Sequence, residues 1–198
     1  MIVVAPGLAV WDVARHAAWL APMVIALTAA CVVAAPVLAA LCWRKPAGLR
    51  CALAVVLGLA VVVAARHAAE SLVFVPRPFV ADHFRPLFPH SPDSSFPSAT
   101  TGYFAAVAVP VLACRRRLGW VAAAIAAEVA GGCVYVGVHY VTDVLAGLAI
   151  GAAGGGIAWL ALGAPGVSWL LAAADAALQA ARLRPGRPSA RPLQPFTI

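Results

Sequence analysis

Charged residues are scarce in this 198-residue chain, at 11% of the sequence, whereas hydrophobic residues make up 64%. A soluble globular domain typically carries about a quarter charged residues, so the composition excludes an ordinary soluble protein and indicates an integral membrane protein. The stretches between the apolar runs are too short for a separate soluble domain. We therefore expect one compact bundle of membrane helices.

Motifs for metal binding or disulfide formation are also lacking. The cysteines form no CxxC pair, and most of them lie inside apolar runs, at positions 31, 42, 51, 114 and 133. A free cysteine in such surroundings behaves as a small hydrophobic residue. We therefore expect no disulfide, no zinc or other metal site and no cofactor.

A basic segment ahead of the first apolar stretch is missing, so we expect no cleaved signal peptide and a first membrane helix that directs insertion itself. The formal net charge is nevertheless +7. Because the basic residues cluster beside apolar runs, they indicate membrane topology, and nucleic acid is not an expected partner. The clusters are Arg44, Lys45 and Arg50; Arg115, Arg116 and Arg117; and Arg182, Arg184, Arg187 and Arg191.

The apolar runs predict an all-α integral membrane bundle of about five transmembrane helices, since one span needs about 20 apolar residues. The runs cover residues 17–43, 51–75, 98–114, 118–138 and 144–163. Residues 1–16 suit an interfacial helix, and residues 168–182 suit an amphipathic helix ahead of a basic tail. We therefore divide the chain into a transmembrane domain, 1–163, and a C-terminal amphipathic helix with a basic cytoplasmic tail, 164–198.

A loop rich in proline joins the second and third predicted helices. A continuous helix is forbidden there by Pro76, Pro78, Pro86, Pro89, Pro92 and Pro97. Under the positive-inside rule the basic clusters lie in the cytoplasm, which places this loop outside, together with the turn between the fourth and fifth helices. The residues expected at this outer face are Arg77, Ser98, His139 and Asp143.

His139 and Asp143 are four residues apart where the fourth and fifth predicted helices meet. Residues at this spacing share a helix face, and a carboxylate that holds one imidazole nitrogen turns the other into a directed base or nucleophile. The alternative is that the pair only caps a helix and tethers two segments. Arg77 and the helix start at Ser98 favour an anion, so a phosphate is the expected ligand.

Three local signatures contain these residues: PRPFV at 76–80, SSFPS at 94–98 and YVGVHYVTDVLAG at 135–147. With them, the chain resembles the type 2 phosphatidic acid phosphatase (PAP2) superfamily over nearly its whole length, and most of all its bacterial undecaprenyl pyrophosphate phosphatase branch. The resemblance implies a multi-pass protein of the bacterial plasma (inner) membrane. It also implies removal of phosphate from polyprenyl pyrophosphate or another lipid phosphate at the extracytoplasmic face, without a metal.

The resemblance also implies a role for each site residue. His139 would form a phosphohistidine, and Asp143 would orient it. Arg77 and Ser98 would hold phosphate oxygens. Thr100 could add a further hydrogen bond to a phosphate oxygen, although the simpler interpretation is that it begins the third helix.

Three parts of the family pattern are missing. A lysine is expected seven residues before Arg77, where Glu70 stands; a histidine that protonates the leaving group is expected at Thr100; and a Ser-Arg pair is expected at Gly132 and Cys133. Losing the acid and the arginine would cost roughly 10⁴-fold in rate if the effects were additive. Two functions therefore remain open: an active lipid phosphatase, and an impaired or inactive member that binds lipid phosphate or has a structural role.

Other charged residues could compensate for these losses. Arg66 lies one helical turn before Glu70, which it is also expected to neutralise in part, and the loop offers His83, Arg85 and His90. Arg66 and Glu128 each lie eleven residues before a site residue, so we predict that they pair inside the bundle.

The fifth predicted helix has a stripe of small residues suited to close helix packing, at Gly147, Gly151, Gly154, Gly155 and Gly156. One polar cluster at the outer rim gives no polar path across the bilayer, so a small transporter or channel is less favoured. The expected partners are therefore lipid phosphates and membrane lipids.

Overall fold

The computed structural model describes residues 18–43 and 47–183. Within these ranges the chain forms helices and loops without a β-strand, and the expected all-α membrane bundle is confirmed. A short 3-10 turn at Ala18–Leu20 precedes α1 (Ala21–Trp43), α2 (Gly48–Leu72), α3 (Pro78–Ala81), α4 (Ala99–Cys114), α5 (Arg116–Tyr135), α6 (Val141–Ala161) and α7 (Pro165–Leu183). The predicted interfacial helix at 1–16 and the tail at 184–198 lie outside the described residues.

Three of the helices, α2, α5 and α6, are long and apolar enough to cross a membrane. Shorter apolar stretches accompany them at Ala21–Cys31 in α1, along α4, and at Pro165–Leu178 in α7. The helix ends lie within about one turn of the predicted ends. Hydrophobic runs therefore located the helices well, because each run must satisfy its own backbone hydrogen bonds inside a bilayer.

The helix α4 occupies the centre of the bundle. It packs most extensively against α6 and α5, and it also contacts α2 and α1. Small and apolar residues are buried along most of its length, including Gly102, Phe104, Ala106 and Val111. The first turn of α4 therefore lies in the middle of one end of the bundle, where the loop before it meets the turn between α5 and α6.

Glycines of α6 allow the close approach of α4. Gly147, Gly151 and Gly155 are buried, and a Cβ atom at each would collide with a backbone oxygen of α4 or of Ser98 just before it. Gly154 faces α2 instead, and Gly156 is only half-buried. The predicted small-residue stripe thus packs two helices onto α6, and its contact with α4 brings the first turns of α4 and α6 together.

The predicted Arg66–Glu128 pair is wrong. Arg66 binds Glu70 on its own helix, with 2.8 Å between Nε and Oε1, so the expected neutralisation of those two residues is confirmed. Glu128 faces α1, where Thr28 Oγ1 donates to its Oε1 at 3.1 Å. Counting residues along two helices estimates depth in the membrane, but it leaves open which face of the helix each side chain occupies.

Candidate active site

His139 lies in the connection between α5 and α6 and forms part of the wall of a cavity of about 380 Å³. Its side chain is only 3% exposed. The cavity wall is mostly apolar, with contributions from Ile25, Ala29, Phe88, Val136 and Val138. Its polar contributions come from Thr28, His90, Thr100, Cys133 and His139. A ligand here would place a polar group against His139 and apolar atoms against the remaining wall.

Arg77 determines which nitrogen of His139 carries the proton. Its Nη1 lies 3.1 Å from His139 Nε2 and also donates to the carbonyl of Val138 at 2.8 Å. A guanidinium can only donate, so Nε2 accepts and bears a lone pair, and the proton of the neutral ring lies on Nδ1. Burial lowers the pKa of His139; Asp143 opposes this shift and Arg77 adds to it. The ring is therefore neutral at neutral pH.

Ser95 connects His139 to Asp143. Its Oγ donates to Asp143 Oδ2 at 2.5 Å and lies 3.3 Å from His139 Nδ1, whereas Nδ1 and Oδ2 are 3.6 Å apart. The last distance is too long for a hydrogen bond, so the carboxylate holds the ring through the serine hydroxyl. Asp143 also accepts the Tyr140 N–H at 2.9 Å and so caps α6. The sequence left two interpretations of the His139–Asp143 spacing: a helix cap, or a carboxylate that orients the histidine. The structure contains both features.

Asp93 links two arginines at the rim of the site. Its Oδ1 accepts from Arg77 Nε at 2.9 Å, and its Oδ2 accepts from Arg66 Nη2 at 3.1 Å. Burial acts to raise the pKa of this carboxyl, but the two arginines lower it overall. Arg66 also donates to the carbonyl of Ser94 at 3.0 Å. The loop before α4 is thus fastened to α2 by Arg66, a turn before the position at which the family pattern has lysine.

Ser98 ties the start of α4 to the start of α6. Its N–H donates to the carbonyl of Asp143 at 3.1 Å, and Thr101 Oγ1 donates to the carbonyl of Val144 at 3.2 Å. The Ser98 hydroxyl is fully buried, and its Oγ finds no hydrogen-bond partner among the described residues. Leaving a buried hydroxyl unpaired costs free energy, so Ser98 keeps unused hydrogen-bonding capacity just behind the residues that line the cavity.

The structure gathers most of the residues that the sequence singled out. Direct contacts or the Ser95 bridge join Arg77, His139 and Asp143, while Thr100 lines the cavity beside His139. Of the possible compensating residues, His90 lines the same cavity, and its ring centroid lies 6.4 Å from that of His139. All three loop candidates, His83, Arg85 and His90, are exposed, and His90 is the one among them that lines this cavity.

Sequence reasoning assigned no role to Ser95 or Asp93. Ser95 belongs to the SSFPS signature, so the resemblance contained a signal for it. Asp93 had no comparable signal, because contacts made by an irregular loop follow no periodic pattern. Thr100 and Cys133, the residues that replace the family's histidine and arginine, both line the cavity.

Comparison with known protein families matches residues 51–165, more than half of the chain, to the PAP2 superfamily. The undecaprenyl-diphosphatase BcrC of Bacillus subtilis (strain 168) is 38% identical over 77 residues, which is 39% of this chain. That match spans 40% of the length of BcrC, so it concerns only part of the relative.

Two solved structures have a similar fold. The crystal structure of LpxE from Aquifex aeolicus has a TM-score of 0.59 at 21% identity, covering 71% of this chain and 85% of that chain. A transmembrane PAP2 type phosphatidylglycerolphosphate phosphatase from Bacillus subtilis has a TM-score of 0.56 at 20% identity, covering 94% and 91%. The helix bundle is therefore shared with these two proteins, and by the family match this chain belongs to the PAP2 superfamily.

Proposed function

We propose that this protein is a lipid phosphatase that hydrolyses polyprenyl pyrophosphate, such as undecaprenyl pyrophosphate, through a phosphohistidine at His139. The observation that carries the proposal is the placement of His139 Nε2, which bears the lone pair, 3.1 Å from Arg77 Nη1 at the wall of an apolar cavity. A nucleophile and a phosphate-binding cation are thus adjacent. The partial match to undecaprenyl-diphosphatase BcrC supports this substrate class.

The first chemical step is attack of His139 Nε2 on the terminal phosphorus. The P–O bond to the leaving prenyl phosphate breaks, and its electron pair moves to the leaving oxygen. Positive charge develops on the imidazole, and Asp143 stabilises it through Ser95 and the Nδ1–H group. Water then attacks the phosphohistidine, which releases inorganic phosphate and restores neutral His139. The phosphoryl oxygens are held by Arg77, Ser98 and Thr100.

His90 is the residue that can replace the missing acid. The carbonyl of Ser91 lies 3.1 Å from His90 Nδ1, so that nitrogen carries a proton, and Asp93 Oδ1 lies 3.8 Å from the same nitrogen. A second proton on Nε2 would be the one that passes to the leaving oxygen. In-line displacement requires the nucleophile and the acid on opposite sides of phosphorus. His90 and His139 line the same cavity with ring centroids 6.4 Å apart, so both can reach one bound pyrophosphate.

The membrane setting follows from charge and cavity lining. Arg50 and Arg115–Arg117 are at the opposite end of the helices from His139, so the positive-inside rule supports a site at the extracytoplasmic face. The apolar wall of the cavity suits the first carbons of a prenyl chain. Substrate would thus approach from the lipid phase with its pyrophosphate directed to Arg77.

Phosphate release by the purified full-length protein in detergent micelles tests the proposal, with undecaprenyl pyrophosphate as the probe. His139→Ala should reduce release to background and abolish the acid-labile phosphoenzyme formed from ³²P-labelled substrate. The matched control is His83→Ala, which alters an exposed histidine of the loop between α3 and α4 and should keep the wild-type rate. Release no faster in the wild type than in His139→Ala would rule out a phosphatase.

A comparison of leaving groups tests His90. A general acid contributes about 10² to 10⁴-fold, and it matters most when the leaving group is a poor one. His90→Ala should therefore slow hydrolysis of a prenyl monophosphate, whose leaving group is an alkoxide, more than hydrolysis of the pyrophosphate. Equal slowing of both substrates would remove the acid role from His90 while leaving that of His139 intact.

A second candidate function is lipid phosphate binding without turnover. Thr100 and Cys133 favour it, because they line the cavity at the positions where the family has histidine and arginine. Saturable binding of undecaprenyl pyrophosphate with no phosphoenzyme would support this function. In that case Thr100→His combined with Cys133→Arg should restore phosphate release.

A further inference from the structure

Three cysteines from three different helices meet at the end of the bundle opposite His139. Cys42 lies near the end of α1, Cys51 near the start of α2, and Cys114 at the end of α4. Their Sγ atoms all lie within 4.8 Å of one another. Cys42 and Cys51 are fully buried, whereas Cys114 is only partly buried. Cys42 and Cys51 lie on either side of the short connection between α1 and α2, whereas Cys114 is distant in the sequence and reaches them only through tertiary packing.

We propose that Cys42, Cys51 and Cys114 form a three-coordinate thiolate site for a soft monovalent metal ion, namely Cu(I). Thiolates are the ligands that Cu(I) prefers. With metal–sulfur bonds of about 2.3 Å, a trigonal site needs sulfur atoms about 4 Å apart, so the observed cluster requires only a small inward movement.

The ligand set distinguishes Cu(I) from zinc. A structural zinc ion takes four ligands in a tetrahedral arrangement. Over residues 18–43 and 47–183, no histidine or carboxylate belongs to the group of three sulfur atoms, and the buried Asp175 of α7 acts on Cys114 only electrostatically, from outside that group. A disulfide would need two of the sulfur atoms about 2.0 Å apart and would leave the third unused. Three convergent thiols therefore match a three-coordinate ion best.

The surroundings also suit a charged site at the end of the helices. Partial exposure of Cys114 gives an ion access to the two buried thiols. Arg115 follows it directly and donates to the carbonyl of Leu41, the residue before Cys42, at 3.3 Å. Binding releases the three thiol protons and leaves a net negative charge, which the Arg115 guanidinium offsets in part. No oxidant or reductant is consumed, because Cu(I) is bound in the state in which it is supplied.

A bound ion would connect α1, α2 and α4 at the end that the polar contacts around His139 do not reach. Because the site is assembled only in the folded chain, binding should raise thermal stability. The ion is not part of the proposed hydrolysis. Metal binding and phosphatase activity are therefore separable in experiment.

The test is an anaerobic titration of reduced, metal-free, full-length protein in detergent with Cu(I), in competition with a colorimetric Cu(I) chelator. We expect one ion per chain, a thiolate-to-copper absorption band in the near ultraviolet, and a higher Tm. Cys114→Ser should weaken binding by at least about 100-fold, since even outer residues of metal sites typically contribute about 10 to 100-fold. Cys31→Ser, which alters a buried cysteine of α1 outside the cluster, should bind like the wild type.

Several outcomes would overturn the proposal. One is Cu(I) affinity in Cys114→Ser equal to that of the wild type. Another is a loss of Cu(I) affinity in Cys31→Ser as large as that in Cys114→Ser. A wild-type protein that gains about 2 Da on reduction and takes up no Cu(I) would indicate a disulfide instead. If Cys114→Ser does not fold, the rate at which Cys114 is alkylated in the wild type provides the test. Cu(I) should slow this alkylation, and an unchanged rate in the presence of Cu(I) would contradict the site.

Discussion

The two ends of the helix bundle bury side chains of different character. At the His139 end, the buried side chains of Arg77, Ser95, His139 and Asp143 each contact another polar group of the site. At the opposite end, the three thiols lie among apolar residues such as Val107 and Val111. Hydrogen bonds and ion pairs fix geometry before a ligand arrives, whereas thiols are weak donors that an apolar core tolerates. The first end is therefore preorganised, and the second is stable without a ligand.

Among the variants that keep His139, replacing Arg77 should have the largest effect, because Arg77 contacts both His139 and Asp93. In the proposed mechanism Arg77→Met removes a donor to the phosphoryl group, so it should lower kcat/KM for prenyl pyrophosphate about 10² to 10³-fold. Stability should fall by about 2 kcal/mol, less than the about 3–5 kcal/mol of a fully buried pair, because the Asp93 side chain is 47% exposed. Phosphate release and thermal unfolding measure the two effects.

Arg85→Met is the control for that variant, since Arg85 is an exposed arginine of the same loop. It should change neither activity nor Tm appreciably. Similar losses in both variants would mean that general loop charge, and not the contact with His139, determines activity.

The contact between α4 and α6 should give the next largest effect. A Cβ at position 151 would collide with the backbone carbonyl of Gly102, so Gly151→Ala should destabilise the bundle by about 1–3 kcal/mol. Gly131→Ala is the matched control, because Gly131 is exposed and its Cβ would meet no atom within 4 Å. Thermal unfolding in detergent should show a lower Tm for the first variant and an equal or higher one for the second. Equal shifts would contradict the close packing of these helices.

Removal of the serine bridge should have a smaller effect. Ser95→Ala deletes the hydroxyl between His139 and Asp143, and a hydrogen bond to a charged group contributes about 1.5–3 kcal/mol. Because Asp143 can then approach the ring directly, we expect only about a tenfold loss in phosphoenzyme formation, near the lower limit of that range. Ser91→Ala, at an exposed serine of the same loop, should have no effect. An unchanged rate in Ser95→Ala would show that the bridge does not orient the ring.

The pH dependence should be the smallest effect. Burial lowers the pKa of His139 below the about 6.5 of an exposed histidine, so phosphoenzyme formation should persist below that pH and then fall. Asp143→Asn should move this acidic limb lower still, because Asp143 acts to raise the pKa. If the rate of phosphoenzyme formation already decreased on acidification while the pH was still above about 6.5, His139 would not be a buried neutral nucleophile.

The same pKa difference affects stability. The unfolded chain takes up the proton near pH 6.5, whereas folded His139 takes it up only at lower pH. Stability should therefore decrease as the pH falls from about 6.5 through the folded pKa and become level below it. His90→Ala serves as the control, because it leaves the burial of His139 in place; the decrease should persist in that variant.

The sequence alone determined the membrane bundle and the approximate position of its helices. Long uncharged runs must form helices in a bilayer, because each helix satisfies its own backbone groups. The prolines between α2 and α4 and the glycines of α6 also act locally, so their effects on helix ends and helix packing followed from composition. At the site, the spacing of His139 and Asp143 indicated that they lie near each other, but His139 precedes α6 and its connection to Asp143 runs through Ser95.

Only the tertiary structure decided which side chains from distant segments meet. It placed Ser95 between His139 and Asp143, turned Arg66 toward Asp93 instead of Glu128, and gathered the thiols of Cys42, Cys51 and Cys114. Each contact depends on the rotation of a helix about its own axis and on the path of an irregular loop. Those two variables are fixed by packing across the whole bundle, and no periodic pattern in the sequence specifies them.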